Sequence, residues 1–292
     1  MRADPRFRAQ SKAFWANVRS ISQIAGYTAK KTKQVRVFSL EEMTQALHSA
    51  GLGDAHLILG DEPTPLATRL EAYFEYRAQV LNHFVEPLLM DAAEARTIFK
   101  SLKKSLKPKC PLPLNKQKKG KAGPNALTGI VNMLIEANTN GLPVDFAPRR
   151  LTTFTRDGAP LRTLARRVDG CFPSTVNPSA VWEIKEYYFT TTFGSRVADG
   201  VYETLLDGME LEDLREHEGL ECEHLLIVDS HYTWWECGRS YLCRIIDMLH
   251  MGFVDEVIFG REVLDRLPQL AKAWAQGGSS RASKPHQVSK PR

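Results

Sequence analysis

The C-terminal half of this chain predicts an α/β fold, a mixed β-sheet flanked by helices in the order α-βββ-α-β-α-β. A mainly helical N-terminal region precedes it. Three observations carry this reading. Up to about residue 102, apolar side chains recur at helical spacing behind helix-start signals at Ser39, Thr64 and Asp91. Residues 151–188 change to short β-branched and aromatic runs, broken by Arg156-Asp157-Gly158 and by GCFPSTVNPS. Beyond them, two further apolar strand-like runs alternate with helical segments, as strands joined by crossovers do.

Each element follows from a local signal. Residues 7–26 space Phe7, Phe14, Val18 and Ile21 along one helix face among basic neighbours, and Val35 to Phe38 reads as a short strand. Ser39 with Glu42 three residues later is a capping box ahead of Met43, Ala46 and Leu47. Thr64-Pro65 opens a helix with Leu66, Leu70, Tyr73, Phe74 and Leu81 on one face. Another helix starts near Asp91 and runs through Ile98, Phe99 and Leu102. Between Leu106 and Asn125, prolines and glycines interrupt a lysine-rich stretch, which suggests a boundary. The expected division is a helical, basic region over 1–106, a Lys/Pro-rich linker over 107–123, an α/β domain over 124–275 and a disordered tail over 276–292.

Within the α/β domain, Ala126 to Asn138 is an apolar helix ended by Asn140-Gly141. Leu151 to Thr155 and Leu161 to Val168 form a hairpin across Asp157-Gly158. The segment AVWEIKEYYF is a third strand, and a helix covers about Ser195 to Leu206. His224 to Asp229 is a buried strand, residues 238–250 a helix, Val254 to Phe259 a strand, and Glu262 to Trp274 the last helix.

Composition narrows the class. Hydrophobic residues make up 43% and charged residues 25%, near the globular average. No apolar run approaches the roughly 20 residues of a membrane span, and the basic N-terminus has no apolar core behind it. A soluble, cytoplasmic protein with no membrane partner is expected. The five cysteines form an odd set without a CxxC pair, which argues against a disulfide framework. A zinc site from Cys222, His224, His231, Cys237 and Cys243 matches no finger or ribbon spacing, and buried small hydrophobes describe these cysteines better. The net charge of +5 is uneven: nine lysines and no acid lie between Lys100 and Lys121. Such a block is a solvated linker, a means of neutralising phosphates, or both. Lys116, Lys118, Lys119 and Lys121 are the candidate nucleic-acid contacts within it.

Chemistry concentrates in VWEIKEYY. The strand period of two puts Glu183 and Lys185 on one face and Trp182 and Ile184 on the other. Asp169 ends the preceding strand, so pairing would bring its carboxylate to Glu183. Two converging carboxylates suit a hard divalent cation such as Mg²⁺, with the Ile184 carbonyl as a further ligand. Lys185 would then face a metal-bound water or the charge developing on a phosphate. The bland alternative is an edge strand carrying a surface Glu–Lys pair. The Thr190–Arg196 stretch, with Thr192, Ser195 and Arg196, suits phosphate contact at a helix start, or is an ordinary loop capped by Ser195. Trp234 and Trp235 read as packing residues before stacking platforms.

Asp169, thirteen intervening residues and then Glu183-Ile184-Lys185, in an α-βββ-α-β order, resembles the PD-(D/E)XK nuclease superfamily of restriction endonuclease-like folds. The resemblance covers about residues 124–275. It implies metal binding by Asp169 and Glu183, assistance to the attacking water by Lys185, and cleavage that leaves a 5′-phosphate. It also implies an acid on the helix before the hairpin, for which Glu136 is the match. Val168 stands where the motif has Pro, and Arg196, Tyr202 and Glu203 replace the Gln-x-x-x-Tyr of the exonuclease branch. The implied activity is therefore a Mg²⁺-dependent endonuclease, with Mn²⁺ as a substitute ion, acting on duplex DNA in a restriction or phage-defence role. A homodimer is expected if both strands are cut. Two alternatives stay open: a structure-specific or RNA-directed nuclease with the same site, and a non-catalytic nucleic-acid-binding module.

Overall fold

Side-chain caps set the N-terminal helices. In the computed structural model, residues 1–8, 10–115, 123–188 and 195–277 are described. A short α1 (Pro5–Arg8) leads into α2 (Lys12–Ala25), whose N-cap Ser11 accepts from the Phe14 N–H. The expected Ser39–Glu42 capping box starts α3 (Leu40–Ser49), and Thr64 starts α4 (Pro65–Gln79). A π-helical turn over Val80–Val85 follows before Asp91 caps α5 (Ala92–Leu106). The strand expected over Val35 to Phe38 is reduced to a single bridge between Thr28 and Val35. Four residues with no partner strand alongside cannot sustain a ladder.

Phe14, Val18, Ile21, Met43, Leu70 and Phe74 form the core of this helical layer. The layer is fastened to the rest of the protein by a buried pair, since Arg77 donates to Asp247 at 3.0 and 3.1 Å and Tyr73 donates to it at 2.6 Å. By contrast, α5 packs with α6 (Ala126–Asn138) and α9 (Val263–Ala275), and Phe99 lies so close to Gly129 that a Cβ there would sit 2.3 Å from the ring. Helix α5 thus shares its core with the elements beyond residue 123, although it precedes the stretch suggested as a boundary.

The hairpin of β1 (Thr153–Arg156) and β2 (Ala159–Thr163) turns on Asp157 and Gly158, both at positive φ as a two-residue hairpin turn requires. It forms its own small sheet. The return strand ends at Thr163, short of the expected Val168, and chain expected as loop forms β3 (Gly170–Phe172). The main sheet is completed by β4 (Ala180–Glu186), β5 (Glu223–Asp229) and β6 (Glu256–Phe259) in the order β6-β5-β4-β3. Strands β4, β5 and β6 are parallel, and β3 is antiparallel to β4. The fold is thus the expected mixed sheet between helical layers, with a helical N-terminal region.

Alternation along the strands sends Trp182, Leu225, Ile227 and Ile258 towards α6 and α9. Leu226, Val228, Val257 and Phe259 point the other way, into the core shared with α7 (Ser195–Glu218) and α8 (Arg239–Met251). The first residues cover the outer edge of β6, where Val257 N–H donates to Met1 O and Arg2 pairs with Glu256. Among the described residues, no helix is long and apolar enough to cross a membrane.

Candidate functional site

Strand β4 lies inside the sheet, between β3 and β5, and carries its charges inward. Glu183 is fully buried and Lys185 is 6% exposed, which removes the reading of a surface pair on an edge strand. The register Gly170↔Trp182 puts Asp169 across from Glu183. Asp169 N–H donates to Trp182 O at 3.1 Å, and Ile184 N–H donates to the Asp169 carboxylate at 2.7 Å. The side chain of Asp169 thereby continues the ladder where the main chain of β3 leaves it. This approach depends on Gly170: a Cβ there would lie 2.2 to 2.4 Å from the Trp182 indole, which is itself stacked on Trp274 at 5.8 Å.

Helix α7 crosses the Glu183–Lys185 face and brings two more acids, Glu203 and Asp207, one turn apart. Its Gly200 lets the helix come close, since a Cβ there would meet the Lys185 side chain at 3.2 Å. Lys185 Nζ donates to Glu183 at 2.8 Å and to Glu203 at 3.4 Å. Arg166, in the segment between β2 and β3, reaches Glu183 at 3.0 Å, Asp207 at 2.5 Å and Glu203 at 3.3 Å. Four carboxylates (Asp169, Glu183, Glu203 and Asp207) therefore surround two cations, a formal excess of two negative charges.

The electrostatics reflect that imbalance. Burial pushes the Asp169 carboxyl up to about 6, helped by the Glu183 charge and opposed by Lys185. Asp207 is raised to about 7 by burial and by Glu183, against the pull of Arg166. Burial would also raise Glu183, but Lys185 and Arg166 outweigh it and hold this carboxyl below its ordinary value. For Lys185, burial favours the neutral amine, yet the carboxylates of Glu183 and Asp169 prevail and raise its pKa. Asp207 Oδ1 is buried without a hydrogen-bond partner, and Glu183 Oε1 has the Arg166 guanidinium 3.0 Å away. A divalent cation would offset the formal charge excess, and carboxylate oxygens are the donor type that Mg²⁺ takes.

Asp169, Ile184 and Arg166 open onto a cleft of about 930 Å³ that also contains Arg149, Arg167 and Glu186. Arg149 and Arg167 are exposed. Neither forms an ion pair among the described residues. The N-terminus of α6 also meets the cleft, but it is already occupied. Glu186 accepts from Thr128 N–H and Oγ1, both at 3.0 Å, and so supplies the cap that Asn125 does not.

The structure brings Asp169, Glu183, Ile184 and Lys185 together, as expected. It does not bring Glu136 to them. Glu136 accepts from Lys109 N–H at the other end of α6, about 12 Å along the axis from Thr128. Lys116, Lys118, Lys119, Lys121 and Thr192 lie outside the described residues, and Ser195 and Arg196 begin α7. Arg166 and Asp207 were not singled out in the sequence. Helix α7 extends to Glu218 instead of ending near Leu206, and only that extension reveals Asp207 one turn after Glu203. Trp234 and Trp235 are buried packing residues. Cys110, Cys171, Cys222 and Cys243 are buried, and Cys237 is half-buried. Among the described residues, no group of three or more His, Cys, Asp and Glu side chains converges to hold a metal, so an ion here would rest on two carboxylates with main-chain and water oxygens.

Residues 90–274 match a family model described as Domain of unknown function (DUF7687). Residues 1–84 match a second, described as Domain of unknown function (DUF7690). The first match spans more than half of the chain, and the chain belongs to that family. No curated protein and no solved structure matches it.

Proposed function

We propose that this member of the DUF7687 family is a Mg²⁺-dependent endonuclease that hydrolyses phosphodiester bonds in DNA. One observation carries the reading: a carboxylate cluster with a formal excess of two negative charges surrounds the buried Lys185, and two of the cluster's members, Asp169 and Arg166, reach the wall of an arginine-lined cleft. Asp169 and Glu183, with the Ile184 carbonyl, would hold the ion. When bound, Mg²⁺ supplies Lewis-acid stabilisation of phosphoryl charge and makes a bound water more acidic. Lys185 stays protonated between Glu183 and Glu203 and presents its ammonium to charge developing on the phosphate. Arg149 and Arg167 meet neighbouring phosphates at the cleft mouth.

The competing reading is a nucleic-acid-binding module in which Arg166 and Lys185 neutralise Glu183 permanently. Incubating supercoiled plasmid with Mg²⁺ or EDTA separates the two. Mg²⁺-dependent nicking or linearisation by the wild type, lost in Lys185→Ala, is the expected result. DNA bound but left intact by both proteins would reject the nuclease reading, and single-stranded RNA in parallel reactions tests the choice of sugar.

A further inference from the structure

On the far side of α7 from the carboxylate cluster lies a separate cavity of about 430 Å³, between α2, α7 and α8. Two arginines line it. The Arg244 guanidinium rests on the rings of Tyr27 and Tyr241, 4.6 and 4.7 Å from their centroids. Arg19 is exposed, and its nearest polar partner is Met251 Sδ at 3.2 Å. Neither arginine is paired with a carboxylate among the described residues. The one acid in the wall, Asp247, does not compensate them, because Arg77 and Tyr73 already hold its carboxylate. The cavity therefore keeps two uncompensated positive charges.

The remaining wall is suited to a flat ring. Val201, Leu205 and Met248 give it apolar surface, and Tyr202 stands 52% exposed beside them. Gln23 and Ser20 add polar groups from α2. A volume of about 430 Å³ falls in the range of small-molecule sites, and guanidinium groups suit phosphate oxygens. The geometry points to a binding site for a nucleoside monophosphate unit, with its phosphate on Arg19 and Arg244 and its base against Tyr202. This inference does not rest on the nuclease reading. The occupant could be a free nucleotide or the terminal nucleotide of a strand, because the recognised chemistry is the same.

Calorimetric titration of the full chain with AMP, GMP, CMP and UMP tests the site, with adenosine and inorganic phosphate as fragments. At least one mononucleotide is expected to bind about tenfold or more tighter than either fragment. Arg19→Ala should weaken it about tenfold, and Tyr202→Ala should bring the nucleotide close to the affinity of phosphate. Both side chains are exposed, and unchanged unfolding midpoints without ligand would establish that the variants fold. A 5′-phosphorylated oligonucleotide that loses affinity in both variants and is not displaced by mononucleotides would assign the site to a strand terminus. Inorganic phosphate binding as tightly as every nucleotide, or nucleotide affinities unmoved by both substitutions, would overturn the inference.

Discussion

Lys185 and Glu183, two residues apart on one strand, form a 2.8 Å ion pair inside the sheet, and the carboxylate has no exposed surface. The pair belongs to a cluster in which anions outnumber cations, so removing a cation and removing an anion should have unequal effects. Lys185→Met and Arg166→Gln each leave buried carboxylates uncompensated and should cost about 3–5 kcal/mol. Asp207→Asn relieves part of the excess and should cost little or stabilise. Urea unfolding of the three variants in EDTA checks the asymmetry. Equal losses in all three would show that the cluster is not charge-imbalanced.

The same excess predicts a response to divalent ions. Mg²⁺ or Mn²⁺ should raise the thermal midpoint, by about 2.7 kcal/mol of added stability at a hundred times the dissociation constant. Asp169→Asn should abolish most of that rise while leaving the midpoint in EDTA nearly unchanged. A midpoint indifferent to both ions in the wild type would argue against a metal site.

Asp229 predicts a pH dependence away from the cluster. Its carboxylate accepts from Met90 N–H and Ser230 N–H, both at 2.8 Å, and from Tyr188. Burial nonetheless pushes its pKa up to about 7. A folded pKa above the unfolded one means that the folded state binds the extra proton. The contribution is fully present below about pH 4 and is lost as pH rises through about 7. Asp229→Asn should therefore gain stability relative to the wild type between pH 5 and 8 (order-of-magnitude, ~1.4 kcal/mol per pKa unit). Unfolding free energies of the two proteins at several pH values test this, and parallel pH profiles would refute it.

Gly170→Ala should be among the most damaging single-methyl additions in the sheet. The Trp182 ring over Gly170 cannot swing away, because it is stacked on Trp274 with the two rings 3° from parallel. Overpacking of this kind costs about 1–3 kcal/mol or more. It should also separate β3 from β4 and so displace Asp169. Denaturation together with metal titration would detect both effects, and a wild-type metal response in a destabilised variant would uncouple them.

Local chemistry made the helix starts and the hairpin legible in the sequence. Ser39, Thr64, Asp91 and Asp157-Gly158 act through their immediate neighbours, and each lies where it was expected. The Asp169, Glu183 and Lys185 grouping was legible because strand alternation and a pairing register suffice to assemble it. Strand β3 was not, since three residues give no period and depend on β4 for their hydrogen bonds. The second half of α7 was hidden for a related reason. Between Asp207 and Glu218 its sequence is dominated by acids and basic residues, with Leu211 and Leu214 its only deeply buried apolar side chains. Arg166 drew no attention because its meaning is tertiary: it is defined by the acids of β4 and α7 that it reaches.

Glu186 at the start of α6 has a consequence for ionic strength. An intramolecular carboxylate already uses the amide donors that could have cradled a phosphate there. Any polynucleotide entering the cleft must then be held mainly by flexible guanidinium and ammonium groups, whose contacts proceed by expelling condensed counterions. Association should behave as a polyelectrolyte equilibrium: the logarithm of affinity falls linearly with that of salt, by about 0.9 for each duplex phosphate neutralised. Neutralising Arg149 or Arg167 should flatten that line by about one contact each, while Glu186, which meets no phosphate, should leave its slope untouched.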